Sequence, residues 1–446
     1  MSHPLRNTRR SFLKHLGAAA TAAPFITRNL IAAPPSNRIR HASFGAAGMG
    51  GGDMMEFARH PNVDVVCVAD VDSAHLANVK KRLPDAKIHL YQDWRELLDK
   101  EHKNLDTVNV GTPDHMHAPI AMSAMQLGLH AYVQKPLAHD IYEVRRLAET
   151  ARDKKLVSQM GIQIHSSPYY RIAVKLIQSG AIGKVKEVHS WSSKKWGDTS
   201  PLPERSDPVP ASLNWDLWLG VCSPRPFLAG YYHPGNWRKR LDFGTGTFGD
   251  MGCHIFDPVF AALALTAPLS LVSDGPAPNR WNWAMESEIH YVYPATPYTE
   301  GPTVPVHWYD GDRRPPKDVQ SPLGQRKLPD QGSLFLGTKG AMLLPHVDRP
   351  LLLPEKEFKD FPLPKDSGTN HNWQFIDAVL GKTQASAAFD YSGPLTESVL
   401  LGGVATRFPK VKLLWDAAGL KFSNSADATA ILRRDYRKGW EVKGLS

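Results

Sequence analysis

The sequence contains very little cysteine, and this scarcity restricts the class of protein. Only Cys67, Cys222 and Cys253 occur among 446 residues, and two of them lie in apolar segments. Three such thiols do not make the disulfide framework of a small secreted domain, and they suit a chain that folds in a reducing cytoplasm. The sequence also lacks an internal repeat and a low-complexity tract, which argues against a solenoid or a fibre.

Acidic residues are missing from the first 33 positions, which contain Arg6, Arg9, Arg10, Lys14 and Arg28. Without these five charges, the net charge of +9 falls to +4. No basic stretch in the rest of the chain interleaves with aromatic residues, as a nucleic-acid groove would. We therefore predict no nucleic-acid partner.

The leader carries its arginine pair in the segment TRRSFLK at positions 8–14, followed by an apolar run from Leu16 to Ile26 and the pair Ala32-Ala33. This order is similar to a twin-arginine export signal, so residues 1–33 are predicted to direct the protein to the periplasm. The alternative is a basic N-terminus with no targeting role. The apolar run is shorter than the roughly 20 residues of a membrane span, and we expect no stable transmembrane helix.

The bulk composition predicts a folded α/β protein with two domains. Hydrophobic residues make up 42% and charged residues 22% of the chain, which is typical of globular proteins. A single core stops growing at roughly 250–300 residues, so 446 residues favour two cores.

From Ile39 onward, short apolar segments alternate with amphipathic ones, which predicts a doubly wound parallel sheet of the Rossmann type over residues 38–160. Helices are expected at 54–59, 74–82, 94–99, 119–127 and 141–151. The predicted strands are Ile39–Gly45, Val63–Ala69, Thr107–Gly111, Ala131–Val133 and Leu156–Met160.

After Gly161, the apolar segments become longer, alternating and rich in aromatic residues, notably at 185–191, 286–293, 304–309 and 333–336. This pattern predicts a C-terminal α+β domain over residues 161–446, built on a large, mostly antiparallel sheet. We expect this domain to bind the substrate and to form a homo-oligomer, a dimer or tetramer. The stretches 199–210 and 311–329 lack periodicity and are predicted to be surface loops.

A glycine-rich turn joins the first strand to the first helix and contains Gly48, Met49, Gly50 and Gly51. Such a turn lets the backbone approach a pyrophosphate at the helix N-terminus. The second strand ends at Asp70, where an acidic residue binds the ribose 2′-hydroxyl and favours NAD over NADP. The alternative is a flexible turn followed by an acidic strand end.

Three further segments carry a resemblance to a known family: GTPDHMH at 111–117, VQKPL at 133–137, and GTG at 244–246 leading to DMGCH at 250–254. In this order they resemble the Gfo/Idh/MocA family, which is named after glucose-fructose oxidoreductase and inositol dehydrogenase. The resemblance continues more loosely through 337–340 and 415–440, where it looks like the exported bacterial branch. It implies an NAD-dependent oxidoreductase that acts on a sugar or polyol.

The resemblance implies catalytic roles for Lys135, Asp250 and His254. Oxidising an alcohol requires a base for the hydroxyl proton while the hydride leaves carbon, and His254 is the expected base. Asp250 would orient it or share the proton, and Lys135 would stabilise the alkoxide. The spacing of Asp250 and His254 predicts one face of a helix. Which of the three takes the proton stays open.

The resemblance also implies that Thr112, Pro113, His117, Gln134 and Lys135 contact the cofactor. Two positions depart from the family pattern, and both lie near the expected cofactor.

The first departure is Gln134, which stands where the family usually has glutamate. The second is Asp53, which stands at the third glycine of the fingerprint and puts close helix-strand packing in doubt. His115 and His117 could suggest a metal, but two histidines without a third ligand type nearby are weak evidence, and we predict no metal there.

The predicted substrate contacts follow the last Rossmann strand or precede the catalytic helix. Aromatic and amide side chains suit a carbohydrate, because they stack on its apolar face and bind its hydroxyls. An alternative for Tyr232 and Trp237 is a plain core position. The candidates are Gln163, His165, Tyr232, Trp237 and Arg238.

Export creates a difficulty for a simple dehydrogenase, since the periplasm supplies no free NAD. We therefore expect a tightly bound cofactor and a redox-neutral cycle, as in hydride transfer between two sugars. An alternative is an NAD-dependent glycoside hydrolase that oxidises its substrate transiently. A further alternative is a non-catalytic sugar-binding protein, against which the presence of all three catalytic candidates argues.

Overall fold

The apolar segments that begin at Ile39 form a six-stranded parallel sheet in the order β3-β2-β1-β4-β5-β6. The computed structural model describes residues 38–446, so the leader predicted for residues 1–33 lies outside the described residues. The strands of this sheet are β1 (Ile39–Phe44), β2 (Val63–Ala69), β3 (His89–Tyr91), β4 (Thr107–Val110), β5 (His130–Gln134) and β6 (Ser158–Gly161).

Five helices connect these strands, as the alternation predicts, and the predicted Rossmann sheet is confirmed. The helix after the glycine-rich turn begins at Gly48 rather than at Met54, because the glycines at its start hide the periodicity. The helices are α1 (Gly48–Ala58), α2 (Ser73–Arg82), α3 (Trp94–Glu101), α4 (His117–Gln126) and α5 (Ile141–Asp153).

A second sheet of nine strands is antiparallel except for one parallel pair, β7 with β10. Burial alternates along β9, where Ile289, Tyr291 and Tyr293 face the helices and are buried. The predicted C-terminal sheet is therefore confirmed. Its strands are β7 (Val185–Ser192), β8 (Ser270–Ser273), β9 (Glu288–Pro294), β10 (Thr303–Asp310), β11 (Gly332–Gly337), β12 (Ala341–Pro345), β13 (Leu351–Leu353), β14 (Leu413–Asp416) and β15 (Lys421–Phe422).

The longest helix, α10, has buried residues on every side and packs against α5 of the first sheet. A π-helical turn at Phe248–Gly252 precedes α8. No helix within residues 38–446 has both the length and the apolar character of a membrane span. The helices of this half are α6 (Pro168–Gln178), α7 (Trp215–Leu219), α8 (Cys253–Leu263), α9 (His371–Val379), α10 (Phe389–Ala405) and α11 (Ala426–Ala430).

The segment around Arg434 returns to the first sheet and packs against α5 and the loop after β4. The Arg434 guanidinium donates to Glu143 Oε1 of α5 at 2.8 Å and to the His115 carbonyl at 2.6 Å. Tyr436 donates to the same Glu143 oxygen at 2.6 Å. One continuous hydrophobic core spans both sheets. The hydrogen bonds of Arg434 also link the loop after β4 to α5.

Candidate active site and cofactor cavity

A cavity of about 540 Å³ opens at the carboxyl ends of the parallel strands. Its lining includes Gly45, Asp70, Thr112 and Lys135, which follow β1, β2, β4 and β5. The strand order reverses between β1 and β4, and ligands of open α/β sheets bind at such a switch point.

The glycine-rich turn presents bare backbone to this cavity. Gly48 has φ +52°, and a Cβ placed on it would meet no atom within 4 Å. At Gly50, however, a Cβ would lie 2.6 Å from the Gly111 carbonyl oxygen, so glycine is required where α1 crosses β4. No side chain caps the N-terminus of α1, and its first turn has no acidic residue. Free N–H groups beside open space fit a pyrophosphate.

Met49 and Gly51, the other predicted members of the turn, lie on the first turn of α1. Met49 lines the cavity and is 49% exposed. Gly51 instead packs inward, where a Cβ would lie 2.4 Å from the Ala46 carbonyl oxygen. Asp53 was expected to weaken this packing, but Gly50 and Gly51 supply the close approach one turn earlier.

Asp70 lies at the ribose end of the cavity and is held by backbone amides. Its Oδ2 accepts from Ala46 N at 2.8 Å, and its Oδ1 accepts from Asp72 N at 2.9 Å. His75 Nδ1 lies 3.2 Å from both oxygens, and the hydrogen bond to Asp70 raises the pKa of His75. The carboxylate is thus fixed where a ribose hydroxyl would donate to it.

Three cationic side chains surround the Asp250 carboxylate. Lys135 Nζ donates to its Oδ1 at 2.7 Å and to its carbonyl oxygen at 3.0 Å. Trp196 Nε1 donates to Oδ2 at 2.9 Å, Arg238 Nε lies 3.4 Å from Oδ1, and Lys194 Nζ lies 3.5 Å from Oδ2. Burial opposes ionisation, but Lys135 and Arg238 outweigh it and hold the pKa of Asp250 well below its usual range. Asp250 is therefore a carboxylate that fixes the ammonium of Lys135.

His254 is the second residue of α8 and lines the same cavity. Burial, together with the positive charge of Lys135, holds its pKa well below 6.5, so the imidazole is neutral. Its Nδ1 is buried and has no hydrogen-bond partner in the described part of the chain. Asp250 lies within the π-helical turn Phe248–Gly252 and His254 lies in α8, so the two residues do not share one regular helix face as predicted.

His117 bridges the two loops that surround the expected nicotinamide site. Its Nδ1 lies 2.7 Å from the Pro136 carbonyl oxygen, and its Nε2 lies 2.8 Å from the Thr112 carbonyl oxygen. Thr112 and Pro113 line the cavity, and their contact with the cofactor stays a prediction. His115 points away into the core, with Nε2 2.9 Å from the Trp218 carbonyl oxygen.

The two departures from the family pattern touch each other. Gln134 Nε2 donates to Asp53 Oδ2 at 2.7 Å, and Asn372 Nδ2 donates to Oδ1 at 3.0 Å. Burial raises the pKa of Asp53 to about 6, against the lowering effect of these hydrogen bonds and one from Gln163. Gln134 also lines the cavity, next to Lys135.

Two of the five predicted substrate residues line the cavity. Trp237 and Arg238 do so, and the Arg238 guanidinium lies 4.3 Å from the Trp237 ring centroid. The lining does not include Gln163, His165 or Tyr232.

The other three substrate candidates have structural partners. Tyr232 is 2% exposed and packs against Trp215 and Phe243, which is the core alternative. His165 Nδ1 lies 2.8 Å from Asp257 Oδ1, one turn beyond His254 on α8. Gln163 hydrogen-bonds Asp53 below the cavity. Their role in substrate binding stays a prediction.

Sequence reasoning missed three groups that line or support the site. Lys194 and Trp196 follow β7, and His346 follows β12. The His346 ring lies 5.9 Å from that of His254, and its Nδ1 lies 2.7 Å from Tyr170 Oη. Polar residues directly after strands were the available signal, but only the fold brings the ends of β7 and β12 beside α8.

Family models match both halves of the chain. The model of the oxidoreductase family with an NAD-binding Rossmann fold matches residues 39–162, and the C-terminal alpha/beta domain of the same family matches residues 172–296. The chain belongs to the Gfo/Idh/MocA oxidoreductase family. The first sheet of this Gfo/Idh/MocA protein is the family's NAD-binding Rossmann fold.

Curated relatives of this Gfo/Idh/MocA protein have two kinds of name. Levoglucosan dehydrogenase of Pseudarthrobacter phenanthrenivorans is 26% identical over 165 residues, which are 37% of this chain and 34% of the relative. An alpha-N-acetylgalactosaminidase of Shewanella oneidensis is 25% identical over 205 residues, 40% of this chain and 44% of the relative. The matched segments thus span less than half of these relatives.

Solved structures share the fold over most of both chains. The structure of levoglucosan dehydrogenase in complex with NADH and levoglucosan aligns with 84% of this chain and 99% of its own length, at 16% identity and a TM-score of 0.57. The WlbA dehydrogenase of Bordetella pertussis, in complex with NADH and UDP-GlcNAcA, covers 85% and 99%, at 14% identity and a TM-score of 0.59.

Proposed function

We propose that this oxidoreductase removes a hydride from a secondary hydroxyl carbon of a sugar or polyol, with NAD as its cofactor. The observation that carries the proposal is the convergence of Lys135, Asp250 and neutral His254 on one cavity with Trp237 and Arg238. A stacking ring and a guanidinium suit a polyhydroxylated ligand. A levoglucosan dehydrogenase among the relatives supports the same class of substrate.

The chain divides the chemistry among three side chains. His254 is the base for the hydroxyl proton, because its imidazole is neutral and carries an unpartnered buried nitrogen. Lys135 stabilises the oxygen as negative charge develops, and Asp250 holds the ammonium in place at 2.7 Å. NAD held on the turn at Gly48 and by the loops at Thr112 and Gln134 would supply the hydride acceptor.

We further propose that NAD is preferred to NADP. Asp70 presents a carboxylate, fixed by Ala46 N and Asp72 N, where the 2′-oxygen of the ribose lies in this fold. A hydroxyl can donate to that carboxylate, whereas a 2′-phosphate would be repelled.

A redox-neutral glycoside hydrolase is the second candidate. It is favoured by the relatives named as glycosyl hydrolase family 109 proteins and an alpha-N-acetylgalactosaminidase. In that version the same site oxidises the glycoside transiently, eliminates the aglycone, adds water to the unsaturated intermediate and returns the hydride. A panel of free sugars, polyols and nitrophenyl glycosides would separate the two functions. Reduced nicotinamide without nitrophenol supports the dehydrogenase, nitrophenol without net reduction supports the hydrolase, and neither signal on any member contradicts both.

The leader supports a proposal on location, namely export through the twin-arginine pathway to the periplasm. That pathway carries folded proteins, so NAD can be bound before export. A micromolar dissociation constant, about 8 kcal/mol, would release it, whereas retention needs nanomolar binding, about 12 kcal/mol. Protein purified without added nucleotide should then carry close to one NAD(H) per chain.

Fractionation tests the location separately. Replacing Arg9 and Arg10 by lysine should leave folded, NAD-binding precursor in the cytoplasm, and normal export of that variant would contradict the proposal. We also propose a homo-oligomer through the second sheet. Sedimentation that gives a monomer at micromolar concentration would contradict it.

A further inference from the structure

Three histidines lie side by side across neighbouring strands of the second sheet. His189 of β7 pairs with His307 of β10, and His307 pairs with His290 of β9. Glu187 stands two residues before His189, so its side chain lies on the same face. These residues are separate from the lining of the cofactor cavity.

Two imidazole nitrogens and one carboxylate oxygen converge on this face. Glu187 Oε2 lies 3.5 Å from His189 Nε2 and 3.9 Å from His307 Nε2, and all three atoms lie within 4.8 Å of one another. His189 is 4% exposed at its side chain, yet its Nε2 has no hydrogen-bond partner among the described residues. A buried nitrogen left in this state is costly unless a ligand satisfies it.

The surrounding hydrogen bonds can keep the proton of each ring on Nδ1, which leaves the Nε2 atoms of His189 and His307 unprotonated and able to bind a ligand. His189 Nδ1 lies 3.1 Å from Tyr309 Oη and can donate to it. His307 Nδ1 lies 2.6 Å from His290 Nδ1 and can donate there, while His290 Nε2 lies 3.3 Å from Asp274 Oδ2. Metal-bound histidines are usually oriented by such a bond from the other ring nitrogen.

The alternative, ion pairs between protonated histidines and Glu187, does not fit the electrostatics. Burial, with a smaller contribution from the neighbouring imidazoles, lowers the pKa of His189 to about 4 and that of His307 to about 3. Both rings are therefore neutral near pH 7. Asp318 adds negative charge beside Glu187.

The spacing matches a tetrahedral metal site. With metal–ligand bonds of about 2.0–2.1 Å, neighbouring ligands lie about 3.4 Å apart. The 3.5 Å and 3.9 Å separations approach this value. The two rings stack at 25° with centroids 4.5 Å apart, so they would rotate for both Nε2 atoms to face one ion. Two imidazoles and one carboxylate are a donor set suited to zinc and similar ions.

We propose that His189 Nε2, His307 Nε2 and the Glu187 carboxylate bind one divalent transition-metal ion of the zinc type. The ion would join β7 to β10 and leave one coordination position for water or another group. This site is independent of the proposed redox function, since none of its ligands lines the cofactor cavity.

The test is titration of Zn²⁺ into full-length protein without a polyhistidine tag, after removal of metal by chelation, followed by calorimetry. We expect one ion per chain and a rise in melting temperature with zinc. His189→Ala and His307→Ala should each weaken binding by about a hundredfold or more, beyond the roughly 10–100-fold effect of a neighbouring hydrogen-bond partner such as His290→Gln. Absence of saturable binding to the parent protein would overturn the proposal.

Two other clusters provide matched controls. Cys67, His89 and Glu101 form one, and Asp72, His75 and His233 form the other. His89→Ala and His75→Ala should leave zinc binding unchanged, and loss of binding in either, but not in His307→Ala, would overturn the assignment.

Cobalt and a conservative variant complete the test. Co²⁺ bound at the proposed site should show no thiolate charge-transfer band, whereas a cobalt–thiolate band would assign the ion to Cys67. Because the Glu187 side chain is 34% exposed, the Glu187→Gln variant should have the same melting temperature as the parent protein when a chelator is present. If that variant binds zinc as tightly as the parent, the carboxylate is not a ligand and the proposal fails.

Discussion

The side-chain amide of Gln134 donates to the Asp53 carboxylate over 2.7 Å, between the strand that precedes Lys135 and the helix of the glycine-rich turn. At both positions the chain departs from its family's pattern. The family resemblance implies glutamate at 134 and glycine at 53, where this chain has glutamine and aspartate. The contact therefore contains one buried carboxylate, and this carboxylate stands at position 53 rather than at position 134.

We expect this contact to tolerate one carboxylate, at either position 134 or position 53, but not two. Gln134→Glu alone places two carboxylates against each other and should lower the free energy of unfolding by roughly 2–4 kcal/mol at pH 7. Adding Asp53→Asn should restore most of it, because the new amide can donate to the new carboxylate and still accept from Asn372. Urea unfolding of the single and double variants measures this, and equal losses in both would contradict it.

Asp53 should also make stability depend on pH. Its pKa is raised by burial to about 6 from 3.8, so between these values the native protein holds a proton that the unfolded chain has released. The free energy of unfolding should therefore fall as pH rises from about 4 to about 6, by roughly 3 kcal/mol. Asp53→Asn should remove this fall. A difference between parent and variant that stays constant with pH would exclude the effect.

The site predicts a division of roles among its catalytic candidates. Lys135→Ala and His254→Ala should each reduce turnover by about a hundredfold or more while NAD still binds. Asp250→Asn should cost less, since an amide can still accept from Lys135 Nζ. Lys100→Ala, at an exposed pair with Glu96, serves as the control. Near-normal turnover of both alanine variants would refute the assignment.

The electrostatics of His254 predict the acid limb of the pH–rate profile. Burial and the charges of Lys135 and Lys194 lower its pKa, so the base stays neutral and kcat/KM should hold until well below pH 6.5. Lys194→Ala removes one of these charges and should move the limb to higher pH, whereas Lys194→Arg should not. An unchanged limb in the alanine variant would show that another group titrates.

The fixed carboxylate of Asp70 predicts cofactor selectivity. NAD should bind more tightly than NADP, and Asp70→Asn should narrow the difference by roughly tenfold or more, because the charge is lost while the shape is kept. Calorimetry with both cofactors gives the ratio. Equal affinities in the parent protein would refute the prediction.

The first sheet could be predicted well because each strand is a short apolar run between polar segments. The strand Val63–Ala69 has the predicted bounds, whereas β3 was missed because His89, Leu90 and Tyr91 form a three-residue edge strand that is only partly buried. The helix at 389–405 was missed because it is buried on all sides and shows no amphipathic period. Hydrophobic periodicity reveals a helix or strand that is buried on one face. It does not reveal an element that is buried on all sides or one that is hardly buried.

The site could be predicted where motifs carry it, at Lys135, Asp250 and His254. Lys194 and His346 could not be found, since the ends of distant strands meet only in the folded sheet. The same reason hid the cluster at Glu187, His189 and His307. Spacing along the chain does not reveal this cluster, because His189 and His307 are 118 residues apart and meet through strand register.

The contact between Arg434 and Glu143 has a consequence for synthesis on the ribosome. Glu143 is made first, and its counter-ion Arg434 follows 291 positions later in the chain. Until then the nascent Rossmann segment carries an acidic side chain at a position that is 2% exposed in the finished protein. The Glu143 carboxylate and the loop after β4 therefore gain this shared guanidinium only after residue 434 has been made.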